Sequence, residues 1–138
     1  MLVSMTGIGV RLPEHCSGVG KCILSYLPRE KVLHILGSQG MLALTPNTIT
    51  DAEKFMAALE QVRTQGYAYD QEEAVLELCC VAAPIRDHTD DIVSAMSLSV
   101  PAYRFYLNQE QYRIAIVTAT QHVSENLGWI STGCRKKS

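Results

Sequence analysis

Glu77-Leu78-Cys79-Cys80-Val81-Ala82-Ala83-Pro84-Ile85-Arg86, then Asp87-His88-Thr89-Asp90-Asp91, then Ile92-Val93-Ser94-Ala95-Met96-Ser97-Leu98-Ser99-Val100: this stretch of sequence decides the fold. Two runs rich in β-branched and small apolar residues flank five polar ones. That pattern predicts a β-hairpin with a longish loop. Side chains alternate along a strand, so Ser97 and Ser99 share one face with Val93 and Ala95, while Met96, Leu98 and Val100 fill the other. By the same rule, adjacent Cys79 and Cys80 point to opposite faces.

Working outward, Tyr67 to Tyr69 is short and extended. Ahead of it, Thr50 and Glu53 have capping-box spacing, in which the two side chains satisfy each other's free backbone donors. The helix they open carries Phe55, Met56, Leu59 and Val62 on one stripe, with Gly66 as its C-cap. Gly37 to Ile49 is mostly loop. Pro28 suits the first turn of a helix that closes near Gly37, with Val32, Leu33, Ile35 and Leu36 as its apolar set. A further helix over 18–26 has Ser17 as N-cap, and Leu2 to Val10 reads as a strand. Downstream, Asn108 with Gln111 repeats the capping-box spacing. The helix after it aligns Tyr112, Ala115, Ile116, Ala119 and Val123 and ends at Leu127-Gly128. Helices between strands, then a long hairpin, then a closing helix predict an α+β sandwich with an antiparallel sheet.

The 138 residues fit one domain, and a hydrophobic fraction of 47% supports a core. A formal net charge of −2 offers no basic footprint for phosphate, so nucleic-acid binding by this chain alone is not expected. Its one basic cluster, Arg135-Lys136-Lys137, reads as a solvated tail. No apolar run approaches the ~20 residues of a membrane helix, and the start has no secretory pattern. Five cysteines (Cys16, Cys22, Cys79, Cys80, Cys134) without C-x-x-C argue against a disulfide framework and against zinc. A reducing cytoplasm, with no metal and no cofactor, is the expectation.

Three places hold groups that chemistry could use. Ser17-Gly18-Val19-Gly20 opens a helix, where free N–H groups and the dipole favour an anion. An ordinary capped helix whose glycines allow close packing explains the same spacing. Ser97 and Ser99 can bind polar ligand atoms, or can face solvent. Asp70-Gln71-Glu72-Glu73 precedes the hairpin as an acidic cluster, and Cys80 follows it as either a thiol at a site or a small buried hydrophobe.

These segments together resemble one family. Leu12-Pro13-Glu14-His15-Cys16-Ser17-Gly18-Val19-Gly20-Lys21, Leu44-Thr45-Pro46-Asn47-Thr48-Ile49-Thr50, Arg63-Thr64-Gln65-Gly66-Tyr67-Ala68-Tyr69-Asp70-Gln71-Glu72-Glu73, Cys80-Val81-Ala82-Ala83-Pro84-Ile85-Arg86-Asp87 and Ala95-Met96-Ser97-Leu98-Ser99 resemble, in order, five motifs of the effector-binding domain of IclR-type transcription regulators. The resemblance covers about three quarters of the chain. It implies a GAF-like (profilin-like) curved antiparallel sheet flanked by helices, over one domain spanning 1–138. It implies a small organic acid as effector: a keto acid, a sugar acid or an aromatic acid. It implies effector contacts at Gly18, Val19, Asp70, Cys80, Ser97 and Ser99, with Leu24, Met41 and Leu78 as candidates for an apolar wall.

The family's opening helix, its first strands and its winged helix-turn-helix are not in this sequence. The expectation is an N-terminally truncated domain that forms a dimer or tetramer, since a sheet short of strands exposes an edge, and that reaches DNA only through a domain outside this chain. Val100 and Tyr103 stand where the family has glycine and serine, Glu14 where it is apolar, and Cys16 and Cys22 where it has alanine. Two rival functions are a pure assembly domain without a working pocket, and a cysteine hydrolase using Cys80, His15 and Asp70.

Overall fold

The computed structural model describes residues 14–130. Within them lie a 3-10 turn (Glu14–Cys16), the helices α1 (Gly18–Leu24), α2 (Arg29–Gln39), α3 (Ala52–Gln65) and α4 (Ala102–Asn126), and the strands β1 (Ala68–Gln71), β2 (Leu78–Arg86) and β3 (Ile92–Pro101). The strand expected at Leu2 to Val10 falls outside the described residues, as does Cys134. The three strands form an antiparallel sheet in the order β1-β2-β3, and the fold is α+β as expected.

Register is what positions the site. Ala82 sits opposite Ala68 on one side and Ser97 on the other; Cys80 sits opposite Asp70 and Ser99. The pairing of β1 with β2 stops at Ala68–Ala82, so among the described residues Pro84 lies where β2 has β3 alone beside it. A proline has no N–H for a second neighbour, which makes that the tolerable place for it.

The two faces of the sheet pack on different helices. Cys79, Val81 and Ala83, with Leu98 and Val100, meet Phe105 and Ile116 of α4. On the opposite face Ala68, Ala82 and Ala95 meet Val19 and Cys22 of α1, with Val62 of α3 behind them. Cys79 and Cys80 do point to opposite faces: Cys79 is fully buried under α4, and Cys80 is half-buried on the α1 side. A third cluster, between α1, α2 and α3, joins Leu24, Val32, Leu36, Phe55 and Leu59. The apolar stripe read on α3 faces inward there, with Met56 packed at its margin.

Helix ends follow local chemistry, with four corrections to the sequence reading. Ser17 caps α1 as expected, accepting from the Gly20 N–H at 2.9 Å. The cap of α3 is Asp51 rather than Thr50: its carboxylate accepts from the Glu53 N–H at 3.0 Å, one position nearer than a capping box requires. Gly66 closes α3 in the left-handed conformation (φ 87°), where glycine alone pays no steric penalty. Pro28 is the residue before α2, not within its first turn, and α2 continues past Gly37 to Gln39, closing at Gly40. The largest correction concerns α4, which starts at Ala102 directly from the end of β3, not at Asn108. Asn108 is instead a kink (φ −131°, ψ 28°) within it, and such a local departure carries the sequence signature of a helix start. The inward side of α4 also differs from the stripe read for it. Ile116 is buried, but its buried neighbours are Thr120 and Ser124, and Ala115 is exposed. Their hydroxyls are satisfied by the Val117 and Thr120 carbonyls, and the Ser124 hydroxyl also accepts from the Arg86 N–H.

Candidate functional site

The α1 side of the sheet carries two parallel rows of side chains. One is Ala68–Ala82–Ser97; the next, two residues along each strand, is Asp70–Cys80–Ser99. Gly18 rests on the first row: a Cβ added there would stand 3.1 Å from the Ala82 Cβ, closer than a methyl group tolerates without a shift. The absence of a side chain at Gly18 is therefore what lets the start of α1 lie on the sheet. Gly18 and Val19 are the first two residues of α1, and their amides have no acceptor within the helix by position. All six residues expected to contact an effector, Gly18, Val19, Asp70, Cys80, Ser97 and Ser99, thus lie on one side of the sheet.

Within the second row, Cys80 Sγ and Ser99 Oγ are 3.2 Å apart. Burial pushes the Cys80 thiol up to about 11, the Ser99 hydroxyl opposing and the Asp70 carboxyl adding to it. Asp70 is 3% exposed, and burial pushes its carboxyl up to about 6. Its Oδ1 accepts from the Glu73 N–H at 2.8 Å. Ser97 and Ser99 are exposed while Ala68, Ala82 and Asp70 are buried, so the two rows open to solvent at their β3 end.

Sequence reasoning missed the ion pair beside this face. Lys21, 4% exposed, donates to Glu73 Oε1 at 2.5 Å and to the Tyr69 carbonyl at 2.8 Å. Glu73, 7% exposed, accepts from the Gln71 N–H through its other oxygen at 3.1 Å. The loop at 44–48 is tied to the same turn, with Thr45 donating to the Glu72 carbonyl (2.6 Å) and Thr48 to the Glu73 carbonyl (2.5 Å). Glu72 turns the other way and accepts from the Tyr106 hydroxyl of α4 at 3.0 Å. The signal that points to Lys21 is its spacing: it lies three residues after Gly18, on the helix face that Gly18 lays on the sheet.

Two other expectations are corrected. Leu24 and Met41 belong to the cluster between α1, α2 and α3, not to the sheet face; of the three wall candidates, Leu78 alone shares the Cys80 side by alternation. A cleft of about 420 Å³ lined by Leu24, Leu27, Met56, Leu59 and Arg63 also belongs to that helical region and touches none of the six site residues. His15 is buried with Nε2 2.8 Å from the Leu42 carbonyl. A carbonyl only accepts, so that nitrogen carries the proton and is no general base. Burial raises the Cys80 thiol pKa, the opposite of what a cysteine nucleophile requires.

The sequence family described as bacterial transcriptional regulator IclR, C-terminal, matches residues 1–125. The chain belongs to this IclR family. It is 43% identical over 97 residues to the HTH-type transcriptional repressor AllR of Salmonella paratyphi A, covering 70% of this chain and 36% of the relative. It thus spans about a third of that repressor's length. Among solved structures it is similar to the C-terminal domain of the E. coli transcriptional regulator KdgR, with 33% identity and a TM-score of 0.80 over 88% of this chain and 74% of that one. It is also similar to the inducer-binding domain of the transcription factor PobR from Acinetobacter, solved as a double mutant in complex with 3-hydroxybenzoic acid, with 30% identity and a TM-score of 0.76 over 89% of this chain and 71% of that one. These IclR-type relatives are transcription regulators and not enzymes, and the chain is a regulatory domain of that kind. No helix among the described residues is long and apolar enough to cross a membrane.

Proposed function

We propose that residues 1–138 form one effector-sensing domain, which binds a small organic acid on the α1 side of the sheet. The observation that carries this reading is the pair of rows Ala68–Ala82–Ser97 and Asp70–Cys80–Ser99 beneath the glycine start of α1. The inducer complex of the related PobR domain supports an acid as the ligand class. In this reading the acid's carboxylate accepts from the amides near Gly18 and Val19, Ser97 and Ser99 bond its remaining oxygens, Asp70 meets a ligand hydroxyl or keto group, and Cys80 packs against it. Binding regulates by preferring one assembly or conformation over another, with couplings of about 1–3 kcal/mol. The assembly is a dimer or tetramer in the cytoplasm, and DNA is reached through a winged helix-turn-helix outside this chain. The target response is repression, as the name of the AllR relative suggests.

Thermal unfolding against a panel of acids (glyoxylate, pyruvate, sugar acids, 3-hydroxybenzoate) tests this. An acid at a hundred times its Kd adds about 2.7 kcal/mol to the folded state. For a domain of this length that raises Tm by roughly 5 to 10 °C. The Ser97→Ala, Ser99→Ala double variant keeps its fold, since both serines are exposed, and loses the shift. The exposure of those serines also favours a second reading: an assembly domain with no working site. That reading requires a folded oligomer whose Tm no acid moves.

A further inference from the structure

Among the described residues the buried charges beside the sheet face do not balance. Lys21 supplies one positive charge; Glu73 and Asp70 supply two carboxyls, all three residues being under a tenth exposed. Lys21 donates its hydrogen bonds to Glu73 (2.5 Å) and the Tyr69 carbonyl (2.8 Å), leaving Asp70 the backbone N–H groups of Glu73 and Ala74 and only the through-space attraction of Lys21. The other titratable groups facing Asp70 are thiols: Cys16 from the 3-10 turn and Cys80 from β2, with Cys79 behind the sheet. Burial pushes all three up, so at pH 7 they are neutral and offer no compensating charge. Among the described residues the arginines are engaged elsewhere: Arg29 with Glu53, Arg63 with the Ser25 carbonyl, Arg86 with Asp90 and Tyr26, Arg104 over Tyr103, and Arg113 with Glu110.

An acid bound on this face adds another negative charge. The two rows are two residues apart along the strand, about 7 Å. A carboxylate held at the Gly18 row would therefore lie about one row from the Asp70 carboxyl. A second negative charge at that separation disfavours the ionised form of a carboxyl that is already buried.

We propose that acid binding on this face takes up one proton onto Asp70, so that the site selects monocarboxylates carrying a keto or hydroxyl oxygen to which the protonated Asp70 carboxyl donates. The inference rests on the acid-sensor reading above. The proton comes from solvent: the empty site holds Asp70 ionised above pH 6 or so, and the occupied site holds it neutral. A dicarboxylate brings one charge more than the site can neutralise, and so binds more weakly.

Isothermal titration calorimetry from pH 5 to 8.5, in two buffers of different ionisation enthalpy, counts the protons directly. The probes are pyruvate, 3-hydroxybenzoate and, as the dicarboxylate, malonate. The wild-type chain is expected to take up close to one proton per monocarboxylate above pH 7. Its affinity then weakens about tenfold per pH unit between 7 and 8 and levels off near pH 5. Malonate binds at least tenfold more weakly than pyruvate. Asp70→Asn binds the monocarboxylates without proton exchange and with a flat pH profile; should that variant not fold, the wild-type proton count decides alone. A monocarboxylate that binds with no proton uptake and a flat profile overturns the inference and leaves the sensor reading standing. No binding by any of the acids down to pH 5 overturns both.

Discussion

Replacing Lys21 with alanine lowers the stability of the domain by about 3–5 kcal/mol, the usual cost of removing one partner of a buried ion pair. The Lys21 ammonium is the charge that neutralises Glu73, and Glu73 is buried with one remaining donor, the Gln71 N–H. The loss also frees the Tyr69 carbonyl, which accepts from the same ammonium. For a 138-residue chain the Tm falls by roughly 10 °C or more. Lys21→Met separates charge from packing, because it keeps an apolar stem of similar length in the place of the lysine stem. It is expected to cost nearly as much as alanine, since the stranded carboxylate and not the lost volume is what destabilises. Lys21→Met combined with Glu73→Gln recovers most of the loss. Urea denaturation of the four chains checks this: a penalty below about 1 kcal/mol for Lys21→Met means that Glu73 is solvated and the pair is not buried.

Phe105→Ala costs a similar amount, about 3–5 kcal/mol, by a different route. Phe105 is 0% exposed and sits in the first segment of α4, ahead of the kink at Asn108. Its ring meets Tyr69 edge-on at 5.4 Å and Tyr106 at 5.6 Å, and stacks with Tyr112 at 6.5 Å. Alanine there leaves a cavity between α4 and the sheet and removes the aromatic contacts as well. Phe105→Leu keeps most of the volume and costs under about 1.5 kcal/mol. Equal penalties for alanine and leucine would show that ring geometry, not filled volume, holds this segment.

Much of this molecule is written locally, and that part was legible. The hairpin over 78–101 follows from two apolar runs around five polar residues, and its alternation placed Ser97 with Ser99 and parted Cys79 from Cys80. Ser17 and Gly66 mark helix ends because each does one local job, accepting an N–H or adopting a positive φ. The start of α4 was not legible, because a helix that follows directly from a strand at Pro101 leaves no polar cap to read, and the kink at Asn108 imitates one. Thr120 and Ser124 were hidden for a related reason: a hydroxyl satisfied by the preceding turn of its own helix can be buried without any outside partner. Of the site, the rows on β1, β2 and β3 were within reach of pattern and family resemblance. The Lys21–Glu73 pair was not, because its members lie 52 residues apart and a lysine after glycines reads as surface. It is also the feature that decides the charge of the site.

Amide chemical-shift mapping of the isotope-labelled chain, titrated with 3-hydroxybenzoate and pyruvate at pH 6, shows whether a small acid binds on the α1 side of the sheet. Saturable shifts are expected at Gly18, Val19, Asp70, Cys80, Ser97 and Ser99, with α3 unmoved. Shifts confined to the cleft around Leu24, Met56 and Arg63, or no shift at all in a folded chain, would mean that no acid binds there.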